Sequence, residues 1–180
     1  SAAYEAAIET YKQDVAAARM AQWRNRCVSD GYEPGSTFKL ITLASALDSG
    51  AVTLNDSFYC GGQEKFTGRE QILNCWKSAG HGAQTTAQAL GNSCNIAFGH
   101  IGLRMGGDTF YDYLKSFGVM EKTGVDLPGE ASGLFYERKY LNDPANYGTS
   151  YLITSSFGQS FRITPMQLVR AVAAIVNGGY

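Results

Sequence analysis

Tyr32-Glu33-Pro34-Gly35-Ser36-Thr37-Phe38-Lys39 runs straight into an apolar, Ala-rich segment: Leu40, Ile41, Leu43, Ala44, Ala46 and Leu47. Pro34 and Gly35 interrupt the backbone, so the pattern reads as a turn feeding a helix that starts at or near Ser36. Ser36 and Lys39 are three residues apart and share one face of that helix. A serine hydroxyl is a poor nucleophile until a base takes its proton. A lysine amine is such a base once its surroundings lower its pKa towards neutrality. A helix start also aims free N–H groups and a positive dipole end at the serine. Ser-x-x-Lys is therefore a workable acyl-transfer nucleophile. The plainer alternative is an N-capping serine beside a solvated lysine.

Further motifs follow in a fixed order: Gly80-His81-Gly82, Asn92-Ser93-Cys94-Asn95, Thr123-Gly124-Val125-Asp126-Leu127-Pro128-Gly129-Glu130, Phe157-Gly158-Gln159, Thr164-Pro165-Met166-Gln167 and Asn177-Gly178-Gly179. Ser93-x-Asn95 is the type of element that accompanies Ser-x-x-Lys in penicillin-interacting enzymes. In this order and spacing the set resembles the transpeptidase domain of a class B penicillin-binding protein. Trp23-Arg24-Asn25-Arg26 and the pair Cys60 and Cys75-Trp76 resemble the sporulation-associated branch of Gram-positive, endospore-forming bacteria. The resemblance runs from about Trp23 to Tyr180.

That resemblance implies an α+β fold: the mostly helical portion of a penicillin-binding, β-lactamase-like serine transpeptidase domain, with a small hairpin and most of the main sheet missing. Residues 1–35 are expected to be a lead-in helix and loop, and 36–180 the helical core. Relatives carry a membrane anchor and a further non-catalytic domain, and their working Lys-Thr-Gly motif lies on a strand after the Thr-Pro-Met-Gln helix. Neither the anchor nor that strand is in this sequence, so a fragment ending before the Lys-Thr-Gly strand is expected.

Composition sets outer bounds. The chain has 180 residues, 44% hydrophobic and 17% charged, which are globular values. A formal net charge of −1 gives no field for nucleic acid or an anionic membrane. No apolar run approaches the roughly 20 residues of a membrane span.

Along the chain, residues from about Tyr4 to Arg24 predict an amphipathic helix with little chemistry, with Ala7, Ile8, Tyr11, Val15 and Ala18 on one face; the alternative is a helix freed by truncation that docks on a neighbouring molecule. Ser49-Gly50 should stop the helix that begins at Ser36. Phe58 to Trp76 reads as a hairpin. With Thr67-Gly68 as its two-residue turn, Cys60 falls opposite Cys75, close enough for a disulfide in an oxidising compartment. The alternative is two reduced, packed thiols. The spacing of Cys27, Cys60, Cys75 and Cys94 matches no zinc pattern. His81 reads as a loop residue bonded to backbone, and His100 as core or surface. Two distant histidines give a Ser-His-Asp triad little support.

Thr86 to Met105 predicts a helix carrying Ser93-Cys94-Asn95. Gly106-Gly107 should end it, and Asp108 should cap another over about Thr109 to Phe117. Gly118 to Tyr147 reads as loop, with Pro128, Gly129, Gly133 and Pro144. Lys122-Thr123-Gly124 spells the family's third motif in the wrong place, so Lys122 reads as solvated. Thr164-Pro165 should cap and start a largely buried helix ended by Asn177-Gly178-Gly179.

By resemblance the activity is a serine-type D,D-transpeptidase that needs neither metal nor cofactor. Ser36 would attack the penultimate D-Ala carbonyl of a peptidoglycan stem peptide ending in D-Ala-D-Ala, and Lys39 would take its proton. Ser93 would relay a proton to the leaving nitrogen and Asn95 would bond the substrate amide, making Ser36, Ser93 and Asn95 the substrate-binding positions. β-Lactam antibiotics would trap the acyl-enzyme. The place implied is the extracytoplasmic face of the cell membrane. Two consequences of truncation are expected: impaired activity, because the second oxyanion donor belongs to the missing strand, and self-association or domain swapping through uncovered apolar surface. The alternatives are a serine β-lactamase or β-lactam sensor, with Glu121 or Glu130 near the place of a water-activating carboxylate, and a non-catalytic scaffold of a division or sporulation complex.

Overall fold

The structure, a computed structural model, describes residues 2–143 and 147–179. Pro144, assigned to a loop above, and Tyr180 lie outside the described residues.

Helix α1 (Ala2–Trp23) forms as its Ala, Glu, Gln, Lys and Arg content dictates. None of its residues is buried, so the described residues leave the expected apolar face largely uncovered. Asn25 then caps a short helix α2 (Arg26–Ser29) by accepting a hydrogen bond from the Cys27 amide at 3.0 Å. Val28 is fully buried there, so part of the lead-in belongs to the core.

The Pro34 turn enters a 3₁₀ turn (Gly35–Phe38) that becomes α3 (Lys39–Asp48). Helix α3 lies at the centre, against α5 (Asn95–Ser116), α8 (Pro165–Val176) and α4 (Thr86–Gly91). Helix α7 (Gly148–Ser156) packs along α5, with the short α6 (Arg138–Leu141) beside both. Phe38, Ile41, Phe98, Ile101, Phe110, Leu114, Ile153 and Ile163 are all buried in the single core between these helices.

The cap expected at Thr164 is present, and the structure adds a second at Thr85. Thr85 and Gln88 form a reciprocal capping box at the start of α4, and Thr164 with Gln167 does the same for α8, with Pro165 in its first turn. On α8 the burial is narrower than expected: Leu168 and Ala171 face the core, whereas Val169 and Val176 are 61% and 80% exposed.

The region from 57 to 85 departs from the expected hairpin. Strand β1 (Ser57–Cys60) pairs antiparallel with β4 (Gly82–Thr85), and Cys60 lies opposite Gly82. Strands β2 (Gln63–Glu64) and β3 (Leu73–Asn74) form a separate ladder, with Gln63 opposite Asn74. The cause is a backbone break at Gly62, where φ is +93°. It ends one ladder and turns the chain into the next. Cys60 and Cys75 are both buried free thiols, and the register does not place them opposite each other.

The helix expected over Thr86 to Met105 is also interrupted. Helix α4 ends at Gly91, Ser93 adopts a left-handed conformation with φ +48°, and Cys94 caps α5. Ser93 therefore sits at a break between helices. The predicted stop is present at Gly106, where φ is +74° and ψ 158°: the backbone leaves helical geometry there, and two helices meet within the α5 range.

Candidate active site

The Ser36 turn is fastened to a second segment far along the chain. The Gly35 amide donates to the Gly158 carbonyl at 2.9 Å, and the Ser160 amide donates to Glu33 Oε1 at 2.9 Å. Tyr32 and Ile163 exchange two backbone hydrogen bonds at 3.0 and 3.1 Å. The Phe38 ring meets the edge of Phe161 at 4.7 Å between centroids. Gly158 is required at this seam: its φ is +84°, and a Cβ there would lie 2.1 Å from the Gly35 carbonyl oxygen. Phe157-Gly158-Gln159 therefore supports the turn that presents Ser36.

Lys39 is 1% exposed, while Ser36 beside it is exposed. Lys39 Nζ lies 3.1 Å from Ser36 Oγ, 2.9 Å from Ser93 Oγ, 2.8 Å from the Ser93 carbonyl and 2.8 Å from Asn95 Oδ1. All four site residues expected from sequence, Ser36, Lys39, Ser93 and Asn95, thus meet at one nitrogen. The left-handed turn at Ser93 is what points both its carbonyl and its hydroxyl at Lys39. Burial pulls the Lys39 pKa down from 10.5 to about 8, against an opposing pull from the Cys94 and Cys75 sulfurs. A neutral amine has two N–H groups and one lone pair. It can donate to the Ser93 carbonyl and Asn95 Oδ1 while accepting a hydroxyl proton from Ser36 or Ser93.

The other candidates fall elsewhere. Lys122-Thr123-Gly124 belongs to a turn closed by Glu130, whose carboxylate accepts from the Thr123 amide and hydroxyl and from the Gly124 amide. Those donors hold the Glu130 pKa below its ordinary value. Lys122 is exposed and takes no part in the Lys39 group. His100 pairs with Glu64 at 2.8 Å and lies between Phe58 and Phe66.

Immediately behind Ser93, the structure gathers a group that the sequence reading did not assemble. Cys60, Cys75, His81 and Cys94 bring their potential ligand atoms within 4.8 Å of one another. His81 is not the backbone-bonded loop residue expected: Nδ1 lies 3.7 Å from Cys75 Sγ, and Nε2 is buried with no partner. Cys75 Sγ is 4.0 Å from Cys94 Sγ. Burial pushes the Cys94 thiol up to about 12. Burial acts the same way on Cys75, but the Lys77 and Asn95 amides and neighbouring thiols outweigh it and leave that group below its ordinary value. The expectation that the cysteines make no metal set rested on spacing with Cys27 as the fourth member. Cys27 is exposed and apart, and a histidine replaces it.

Known proteins match the chain in sequence and in fold. Stage V sporulation protein D of Bacillus subtilis is 44% identical over 157 residues, 87% of this chain and 23% of that protein. Peptidoglycan D,D-transpeptidase MrdA of Acinetobacter baumannii is 34% identical over 158 residues, 86% of this chain and 24% of its own length. The chain thus spans about a quarter of the curated relatives it matches. The crystal structure of Pseudomonas aeruginosa PBP2 in complex with WCK 5153 superposes with a TM-score of 0.77 at 26% identity, covering 87% of this chain and 35% of that one. The family model of the penicillin binding protein transpeptidase domain matches residues 3–180, and the chain belongs to that family.

Proposed function

We propose that this chain carries the serine acyl-transfer centre of a peptidoglycan D,D-transpeptidase, with Ser36 as nucleophile and Lys39 as its base. The observation that carries the reading is the buried Lys39 amine, which reaches Ser36 Oγ, Ser93 Oγ and Asn95 Oδ1 at once. Neutral Lys39 takes the Ser36 proton as Oγ attacks the carbonyl of the penultimate D-Ala in a stem peptide. The C–N bond to the terminal D-Ala breaks, and Ser93 passes a proton from Lys39 to the leaving nitrogen. An amine from a second stem peptide then attacks the acyl-serine, forms the cross-link and frees Ser36. Asn95 fixes the lysine and offers its amide N–H₂ to the substrate. The whole protein acts at the extracytoplasmic face of the membrane, where its substrate lies. No described helix is long and apolar enough to cross one.

A β-lactamase role finds less support. A class A β-lactamase uses a Glu to activate the deacylating water, and Glu130, one of the two candidates, is committed to the Thr123 turn. Intact mass after incubation with a penicillin tests the proposal. The expected result is one acyl adduct on the native chain and none on Ser36→Ala. An adduct that survives Ser36→Ala overturns Ser36 as nucleophile, and fast loss of the adduct as hydrolysed penicillin favours the lactamase. A scaffold role predicts that the whole protein keeps its function with Ser36→Ala.

A further inference from the structure

The cluster behind the candidate active site has the chemistry of a metal centre. Its four side chains come from four separate places: the end of β1, the segment after β3, the residue before β4 and the cap of α5. They are brought together by loops that touch backbone to backbone. The Cys75 amide donates to the Gly62 carbonyl at 2.8 Å. A Cβ on Gly62 would lie 1.9 Å from the Ser78 carbonyl oxygen, and one on Gly80 would lie 2.2 Å from that of Cys60. Only glycine lets the two loops cross that closely.

We propose that Cys60, Cys75, His81 and Cys94 form a tetrahedral site for a thiophilic divalent cation, zinc being the metal that fits the donor set best. Three thiolates and an imidazole are a structural zinc set, and no carboxylate stands among them to favour a harder ion. With metal–sulfur and metal–nitrogen bonds of about 2.3 and 2.0 Å, a tetrahedron has edges of roughly 3.5–3.8 Å. The 3.7 Å and 4.0 Å separations from Cys75 are close to those edges. Packed thiols alone account for less. His81 has no oxygen or nitrogen partner on either ring atom among the described residues, and Nε2 is buried. The Gln84 amide acts on the Cys94 thiol, while its buried Nε2 meets none of the usual hydrogen-bond acceptors. A metal-bound thiolate at Cys94 would give that amide a strong acceptor, as the outer partners of metal sites do. Binding releases three thiol protons to solvent, and the filled site carries one net negative charge.

The position gives the site a purpose. Cys94 lies between Ser93 and Asn95, whose side chains converge on Lys39. A metal holding Cys94 to β1 and to the β3–β4 loop would pin the strained Ser93 turn from behind. The centre is therefore structural: it positions residues and touches no substrate.

Metal content reads the site without turnover, so its outcome is separate from that of the acylation test. The protein is isolated under reducing conditions with zinc supplied, desalted and assayed by mass spectrometry of the metal. The expected result is about one zinc per chain, retained in Cys27→Ser and lost at least tenfold in Cys60→Ser. Replacement by cobalt(II) in the native chain should give the visible bands of a tetrahedral thiolate site, a readout that needs no variant to fold. Chelation should lower the melting temperature of the native chain. A folded, desalted native chain that holds less than a tenth of an equivalent and shows no cobalt bands overturns the site. So does a disulfide between any two of Cys60, Cys75 and Cys94 in freshly isolated protein.

Discussion

At the residue scale, the proposed mechanism turns on Lys39. It is among the largest fully buried side chains, and burial is the main cause of its lowered pKa of about 8. A base must be neutral to act, so acylation requires the deprotonated amine. Because the folded pKa lies below the ordinary value, the active form gains population as pH rises towards 8 and is complete above it. The single-turnover acylation rate with a reporter penicillin should therefore climb about tenfold per unit below that pKa and level off above it. A flat profile from pH 6 to 9 would remove Lys39 as the base. Lys39→Met should cost about 10²–10⁴ in that rate while the fold persists, since a buried ammonium is exchanged for a thioether of similar length. The Ser36–Lys39 pair is legible in sequence because three-residue spacing is a local property of any helical turn. The conformation of Ser93 is not, because a left-handed serine leaves no compositional mark. His81 was legible as a residue but not as a neighbour of three cysteines, because its partners lie in elements separated by 6 to 21 positions.

At the scale of elements, the seam between the Ser36 turn and the Gly158 segment carries the load of positioning. Gly158→Ala forces a side chain into a positive φ and against the Gly35 carbonyl. The backbone conformation alone should cost about 1–3 kcal/mol, read as a lower urea midpoint with an unchanged slope. Acylation should fall as well, since the same contact sets the height of Ser36 over Lys39. A stable variant with native acylation would show that the seam does not position the nucleophile. Helices α3 and α8 and the Thr164 cap are readable from sequence, because caps, prolines and apolar periodicity act over a few residues. The strands are not. The expected register assumed one continuous hairpin through Thr67-Gly68, but the break at Gly62 splits the region into two ladders, and β1 finds its partner beyond β3. Short strands with weak alternation do not reveal such a choice. The same limit hid the gap between α4 and α5, where good helix formers flank a turn that exists to aim Ser93.

For the molecule as a whole, two surfaces stand outside the core and bear on how chains behave together. Helix α1 buries nothing, and its Tyr4, Tyr11, Met20 and Trp23 are 66–77% exposed. Val169 and Val176 project from α8 in the same unpartnered way. A 22-residue helix of moderate propensity gains most of its stability from packing an apolar face, and among the described residues α1 buries none. With a formal net charge of −1, little long-range repulsion opposes contact between copies. The chain should therefore self-associate, with α1 as the first contact. Light scattering across a concentration series should show a mass that rises above one chain. Tyr11→Ser with Trp23→Ser should shift that rise to higher concentration without lowering the melting temperature of the core, since neither ring touches it. A constant single-chain mass at high concentration would mean that α1 is stable or frayed by itself, and that its apolar residues are spaced too widely to form a sticky face. An unchanged association in the double variant would move the contact to α8, where Val169 and Val176 offer the next exposed apolar surface.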